Sequence, residues 1–375
     1  MRKMAYIVSV KYAAGSHKEF VLMGRKLKEH GIEVRYLLSS RYRWMHKEPP
    51  DETFFITDSS NLRTMLTDSA GFLLWRWAKL LSLLKIQRPD FLCIYNAHPL
   101  NPFIAGLIKR NFPQAITALY LHDPYKPDKS PYGFKKSIYI KLVEVIQKRT
   151  VRYMDYVISP SEYSSYLCKK YYPGFNGKNH IAPLLIPDEW VNVNTGRRYF
   201  SIIGGAHPAT GHDTFIEIVN YAAENDIDCE FALVSSSNVS KYVKNLTEKG
   251  RRKVKIINKD TITDAEINET IRQSHAVFRL DKEVTQSGVV PLAYMNGTPV
   301  IARDIQGLTQ HVVHMKNGYV IPFKCLPADA VKAMEYVKAN FMELSVNARR
   351  SYEEFWAERQ FDKHYYWLTE LLRSK

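Results

Sequence analysis

The strongest constraint in this sequence is an alternation that runs twice along the chain. Short apolar runs of strand character at residues 5–10, 34–38, 91–95, 116–121 and 156–159 alternate with helical stretches at about 17–29, 99–109, 134–152 and 161–171. A continuous apolar run marks a strand buried on both faces, and a helix between two such strands is the crossover that parallel pairing requires. The pattern pauses at Pro173-Gly-Phe-Asn-Gly177, Ile186-Pro-Asp-Glu-Trp190 and Asn192-Val-Asn-Thr-Gly196, which read as a polar linker. It then restarts, with strands expected at 199–203, 231–234, 254–257, 276–280, 299–302 and 319–321. The helices between and after them fall at about 212–224, 239–249, 264–273, 288–295, 328–341 and 346–372. The expected fold is α/β, with two doubly wound parallel sheets. A length of 375 residues agrees, because single cores stop growing near roughly 250–300 residues. Ligands in such sheets bind beyond the carboxyl ends of the strands, so candidate sites belong in the loops that follow strands.

Charge and cysteine usage narrow the function classes. The formal net charge is +15, and it is uneven. Residues 1–190 hold 29 basic against 16 acidic side chains, whereas residues 191–375 hold 24 against 22. Only the first half is built for an anionic partner. No apolar stretch reaches the roughly 18 residues of a membrane span, and the apolar run after Met1-Arg-Lys is too short for a secretory signal. Cys93, Cys168, Cys229 and Cys325 lie far apart and form no CxxC pair, which points to reduced thiols in a cytoplasmic protein and to no metal site. No nucleic-acid module motif accompanies the basic residues, so nucleic acid is not the expected partner.

The most informative segment runs from Val277-Phe-Arg-Leu-Asp-Lys-Glu-Val-Thr-Gln-Ser-Gly-Val289 through the helix to Gly297-Thr-Pro-Val-Ile-Ala-Arg303. A buried strand ends at Arg279, a polar loop follows, and Ser287-Gly288 opens a helix. Free N–H groups at a helix start favour an anion, and Arg279 and Lys282 stand beside it. The ordinary alternative is that Ser-Gly is a plain helix cap.

This segment resembles the donor-binding region of GT-B glycosyltransferases, particularly the retaining group known as family 4. The likeness continues through Asp304-Ile-Gln-Gly-Leu308 and Lys316-Asn-Gly-Tyr-Val-Ile-Pro322. The order of Asp155-Tyr-Val-Ile-Ser-Pro-Ser-Glu162, linker and Phe200-Ser-Ile-Ile-Gly-Gly205 is similar as well, and so is a C-terminal amphipathic helix with Phe355, Trp356, Phe361 and Tyr365. The resemblance implies two Rossmann-like domains facing across a cleft. Residues 1–190 form the acceptor domain, 196–345 the nucleotide-sugar domain, and 346–375 a helix returning to the first. It further implies a donor diphosphate and sugar site at Gly204, Gly205, His207, Arg279, Lys282, Glu283, Ser287, Gly288 and Val289. Four ligands usual in the family are replaced. Its two glutamates align with Val284 and Leu292, and its Arg and Lys diphosphate clamps align with Gly205 and Thr210. Arg279, Lys282, His207 and Arg303 are the residues that could restore the charge, and Glu283 could stand in for the first carboxylate.

In the first half, Leu121-His-Asp-Pro-Tyr125 follows a buried strand and places a His and a carboxylate where polar chemistry is expected. By the resemblance, His122 meets the donor sugar or its phosphate, so His122 and Asp123 are the catalytic candidates. Gly15 and Ser16, in Ala13-Ala-Gly-Ser-His17, match the family's acceptor loop, and His98 is acceptor-side or structural. The segment 71–86 combines Trp75, Trp77, several Leu and basic residues with no acid, and Arg41, Arg43, Lys47, Lys135, Lys136, Lys141, Lys148, Arg149 and Arg152 extend the basic character. Basic residues with Trp and Leu on a helix suit an anionic membrane interface; burial of 71–86 against the sheet is the structural alternative.

The reading implied is a retaining transferase that moves a hexose-type sugar from a nucleoside diphosphate sugar to a saccharide or polyprenyl-linked saccharide, without metal or other cofactor. Its setting would be bacterial surface polysaccharide or lipopolysaccharide synthesis on the cytoplasmic face of the plasma membrane, where the basic half docks. The alternative is a catalytically silent GT-B module that binds membrane or partner glycosyltransferases. A further enzymatic rival is nucleotide-sugar epimerisation.

Overall fold

The computed structural model describes residues 3–45, 52–59, 62–72, 77–126, 129, 133–190 and 196–374. Among these, two all-parallel sheets form. The first contains β1 (Met4–Ser9), β2 (Glu33–Ser39), β3 (Thr53–Thr57), β4 (Phe91–Tyr95), β5 (Ile116–Tyr120), β6 (Tyr156–Ser159) and β7 (Lys178–Ile181), in the order β3-β2-β1-β4-β5-β6-β7. The second contains β8 (Tyr199–Ile203), β9 (Glu230–Ser235), β10 (Val254–Asn258), β11 (Ser274–Arg279), β12 (Val300–Arg303) and β13 (Gly318–Ile321), in the order β10-β9-β8-β11-β12-β13. Every residue of β1, β4, β5 and β8 is buried, as strands covered by helices on both faces must be.

The chain divides into two compact units. The first is built from 1–125, 134–185 and 361–375, and the second from 126–133 and 186–360. In the first unit, the helix Ala14–Glu29 lays Phe20, Met23 and Leu27 on the sheet, and the last helix, Phe361–Arg373, adds Phe361, Tyr365, Leu368 and Leu372 to the same core. In the second, Phe215, Ile218 and Val219 pack on Phe200, Phe231 and Phe278, while Val290, Tyr294, Tyr352 and Trp356 cover the other face. Full burial of each such side chain stabilises by about 1.5–3 kcal/mol, so these faces hold the sheets.

The order of strands locates the sites. From β1 the chain winds outward through β2 and β3, then returns to start β4 on the other side of β1. From β8 it winds through β9 and β10, then returns to start β11. At such reversals the loops leaving the carboxyl ends diverge, and the space between them is the usual ligand position in such sheets.

Several elements differ from expectation, among them the helix expected over 239–249, which is two short ones, Ser240–Val243 and Glu248–Lys253. The edge strands β3 and β7 were not foreseen. Lys178-Asn-His-Ile181 is polar and only partly buried, and it is held by its ladder to β6 and by Ser159 Oγ donating to Asn179 Oδ1 at 2.9 Å. The single helix expected over 346–372 is two helices, Phe341–Phe355 and Phe361–Arg373, separated by a single 3₁₀ turn at Glu358–Gln360. The interruption is tertiary: Ile186 N–H donates to Trp356 O at 2.9 Å, Ala357 bridges Ile186, and the Tyr352 hydroxyl donates to Ile186 O at 2.7 Å. The segment expected at 71–86 starts its regular helix at Trp77, and Trp75 and Arg76 lie outside the described residues, as do residues 192–195 of the linker.

Candidate active site

In the second unit, the candidate site lies at the carboxyl ends of the neighbouring strands β8 and β11, where the loops after them part. β8 is followed by Gly204, whose φ of +120° only glycine adopts readily. A Cβ there would stand 3.8 Å from Arg279 Nη1 and 4.0 Å from Val289 Cγ2, so Gly204, Arg279 and Val289 meet around one space. The following loop is closed by its own bonds. Thr210 Oγ1 donates to His207 O at 2.7 Å, accepts from His207 N–H at 3.0 Å, and lies 2.9 Å from His212 Nδ1. Thr210, at the position of a family lysine, therefore builds the loop. Gly211 has φ +70°, and a Cβ on it would stand 2.1 Å from Leu280 O, which brings this loop against the end of β11.

Two of the cations foreseen here, Arg279 and Lys282, carry carboxylate partners. Arg279 donates from Nη1 to Ile203 O at 3.3 Å and from Nη2 to Asp281 Oδ1 at 2.9 Å. Asp281 is 2% exposed; burial pushes its pKa up, and Arg279 opposes that rise. Lys282 is ion-paired with Asp213, whose pKa burial would raise but whose bond to Lys282 brings below the ordinary carboxylate value. Glu283 pairs with Lys126 at 3.3 Å, within the same unit. Arg303, at the end of β12, is buried and donates to Thr214 Oγ1 at 3.0 Å. The edge is thus a mixed network, with Arg279, Lys282, Lys126 and Arg303 against Asp281, Asp213 and Glu283.

The helix opened by Gly288 spans Val289–Met295, and the Val289 N–H donates to Ser287 Oγ at 3.2 Å. Space is open beside Gly288, where an added Cβ would meet nothing within 4 Å. At Gly205 an added Cβ would stand 3.5 Å from Ser237 Oγ, an ordinary contact. Val284 and Leu292, at the positions of the family's two glutamates, pack against the core around Val290 and Tyr294.

In the first unit, the reversal between β1 and β4 gathers Ser16 and Asn96. Ser16 Oγ donates to Asn96 Oδ1 at 2.9 Å, and Asn96 Nδ2 donates to Ser9 Oγ at 2.9 Å, with Asn96 held at φ +59°. Gly15 lies in the first turn of the same helix. His98 is fully buried and both ring nitrogens are engaged. Nδ1 accepts from Leu100 N–H at 3.1 Å, and Nε2 lies 3.0 Å from Ser59 Oγ, which donates to Asp68 at 2.7 Å. Burial lowers its pKa to about 4, so it is a neutral packing group that shapes the loop after β4. His122 follows β5. Its Nε2 lies 3.3 Å from Oε2 of Glu19, on the helix that also carries Gly15 and Ser16, while the neighbouring Asp123 is exposed.

The sequence reading missed Glu19, Asp213 and Asp281. Asp281 had a signal, since two residues apart on an extended chain share a face with Arg279. Glu19 also had one, because it falls three residues after Ser16 and four before Met23 on the buried helix face. Asp213 had none, being 69 residues from Lys282.

The comparisons agree with this architecture. Residues 188–353, most of the second unit, match the model of the family described as Glycosyl transferases group 1. No curated protein matches the chain. Among solved structures, the sucrose-phosphate synthase (tll1590) of Thermosynechococcus elongatus is similar at a TM-score of 0.74 and 14% identity, covering 100% of this chain and 99% of that one. The pneumococcal O-GlcNAc transferase GtfA in complex with UDP and GlcNAc is similar at 0.71 and 8% identity, with 100% of both chains covered. The Anabaena protein Alr3699/HepE in complex with UDP is similar at 0.70 and 14% identity, again with 100% of both covered. The chain thus has the two-sheet GT-B fold over its whole length, and its second unit matches the glycosyl transferases group 1 family over residues 188–353.

Proposed function

We propose that the protein is a retaining transferase that moves a hexose-type sugar from a nucleoside diphosphate sugar to a saccharide acceptor carried on a lipid, in the synthesis of a bacterial surface polysaccharide or lipopolysaccharide. The observation that carries the donor half is the meeting of Gly204, Arg279 and Val289 at the carboxyl ends of β8 and β11. Bond cleavage leaves charge on the diphosphate, and fixed donors aimed at that charge lower the barrier. Arg279, Lys282, Arg303 and the main chain at Ser287–Val289, with Gly204, Gly205 and His207 shaping the approach, would supply them. Because Arg279 and Lys282 already hold carboxylates, the entering diphosphate competes with Asp281 and Asp213, and Glu283 remains with Lys126. No metal or other cofactor is part of this reading. UDP, held by the Alr3699/HepE and GtfA structures, is the first nucleotide to try. On the acceptor side, His122 and Asp123 would meet substrate oxygens, and Ser16 with Gly15 would shape the loop.

The membrane part of the reading is supported by the helix Gly133–Val151 and its continuation. Phe134, Ile138 and Val145 are exposed there, interleaved with exposed Lys141, Lys148, Arg149 and Arg152. At 100° per residue these seven fall within one narrow stripe that contains no acid. The helix Trp77–Ile86 contributes less, because Leu80 and Leu84 are in the core and Trp77 and Ile86 face outward. No helix among the described residues is long and apolar enough to cross a membrane, so attachment would be peripheral, at the cytoplasmic face of the plasma membrane.

The test is donor turnover with a panel of nucleoside diphosphate sugars, read by NMR at the anomeric centre. Transfer with the donor's configuration kept is expected; inversion contradicts retention, and epimerised donor without transfer contradicts the transferase reading. For the surface, vesicles with anionic lipid should bind the protein, and Lys141→Glu with Lys148→Glu should abolish binding. Equal binding to neutral vesicles, or no effect of salt, contradicts the docking stripe.

A further inference from the structure

Glu19 is a carboxylate on the face of a helix that otherwise packs into the core. The helix Ala14–Glu29 buries Ser16, Phe20, Met23 and Leu27, and Glu19 shares their burial at 6% exposed. The ionisable groups that feel its charge are Cys93, Tyr95, Tyr120, Tyr365 and His122. The first four are neutral when protonated; the Tyr120 side chain is also within hydrogen-bond reach of Glu19, but none of the four supplies an opposite charge. His122 does, with Nε2 3.3 Å from Oε2. A single buried charge is costly, and an apolar residue would serve packing better. The pair therefore makes sense through what it does to His122.

We infer that Glu19 is a positioning residue for His122, anchoring its Nε2 and holding the ring as an imidazolium at the carboxyl edge of the first sheet, so that His122 serves as a fixed cationic donor to a substrate oxygen and not as a proton acceptor. The inference rests on the donor and acceptor reading above for what His122 meets, and on geometry alone for what Glu19 does. The ring cannot turn to offer Nε2 elsewhere without leaving Glu19 unpaired. His122 is held from further sides: the Tyr120 ring lies 4.8 Å away, Ser164 Oγ donates to the His122 carbonyl at 3.3 Å, and Asp123 follows it in sequence. The electrostatics agree. Burial alone would lower the His122 pKa; the Glu19 carboxylate, and then Asp123, outweigh it and raise the value above the ordinary 6.5. His122 is then charged below its raised pKa and loses the charge as pH climbs through it.

The test is the imidazole titration by NMR on histidine-labelled protein, native and Glu19→Gln, with His122→Asn identifying the signal. In the native protein His122 should titrate above 6.5. In Glu19→Gln burial acts with less opposition, and proton affinity should fall about tenfold or more. Donor turnover should decline at lower pH in Glu19→Gln than in the native protein, with kcat affected more than KM. Should Glu19→Gln fail to fold, Glu19→Asp lengthens the pair and must lower the titration in the same direction. An unchanged titration in a folded variant overturns the inference, whatever the activity shows. A shifted titration with an unshifted pH profile overturns the role in the reaction. The titration is read on the free protein, so loss of the donor reading leaves it intact.

Discussion

Replacing Arg279 with alanine should destabilise the second unit, and the penalty should belong to Asp281. The two are ion-paired at 2.8 Å, with side chains 12% and 3% exposed. At an effective dielectric near 20 that separation corresponds to about 6 kcal/mol of attraction, most of it offset by desolvation. Arg279→Ala removes the attraction and leaves the desolvation, and loss of one partner from a buried pair typically costs about 3–5 kcal/mol. For a unit of this size that is roughly 10 °C in melting temperature. Asp281→Asn in the same background should recover most of the loss, because no charge remains to be stranded. The loss should also shrink on acidification. Without Arg279 the folded-state pKa of Asp281 lies further above its unfolded value, so the folded form takes up a proton first and gains stability as pH falls from 7 toward 5. Asp281→Asn alone frees Arg279 and should tighten diphosphate binding about threefold to tenfold. Scanning calorimetry at two pH values on the four proteins reads the cycle. A melting temperature unchanged in Arg279→Ala, or a double variant less stable than Arg279→Ala, refutes this reasoning.

Two other predictions follow from local geometry. Gly211→Ala forces a Cβ to within 2.1 Å of Leu280 O at φ +70°, so about 2–4 kcal/mol of stability should be lost, with weaker diphosphate binding; an unaltered melting curve contradicts the close approach of the loop to β11. His98 and His212 are both buried with pKa values lowered by burial to about 4, so the unfolded chain takes up their protons first as pH falls below 6.5. Each should remove about 2 kcal/mol of stability by pH 5, and urea midpoints should show a smaller loss in His98→Gln than in the native protein; equal pH slopes contradict the neutral, buried state of His98.

The sheets were legible because their strands are apolar throughout. Phe91-Leu-Cys-Ile-Tyr95 and Tyr199-Phe-Ser-Ile-Ile203 cannot be surface segments, and all residues of both are buried. Edge strands obey no such rule, and Lys178-Asn-His-Ile181 is a strand because β6 offers it a ladder, not because of its side chains. Breaking of the last helical stretch depends on Ile186, far away in sequence, capturing the carbonyl of Trp356. Of the residues singled out for the candidate site, Gly204, Arg279 and Val289 meet around one space because each lies at a strand end or opens a helix. The charge state of the site was not legible, since cations can be counted from a sequence while their partners cannot. Lys282 looks like a bare phosphate ligand until Asp213 is found beside it, and Glu283 looks like a stand-in carboxylate until Lys126 is. His98 and His122 look alike as histidines after strands. One is closed off by Leu100 and Ser59, and the other lies 3.3 Å from the carboxylate of a glutamate 103 residues earlier.

Binding of a nucleoside diphosphate at the carboxyl ends of β8 and β11 is tested most directly by calorimetric titration, which needs no known acceptor. UDP, GDP and ADP are titrated into the native protein and into the variant carrying Arg279→Ala with Asp281→Asn, chosen so that stability is kept while the cation is lost. One of the nucleotides should bind the native protein, and the double variant should bind it at least about tenfold more weakly, a difference of about 1.4 kcal/mol. Binding that is equal in the two proteins, or absent from the native protein at millimolar nucleotide, would contradict the assignment.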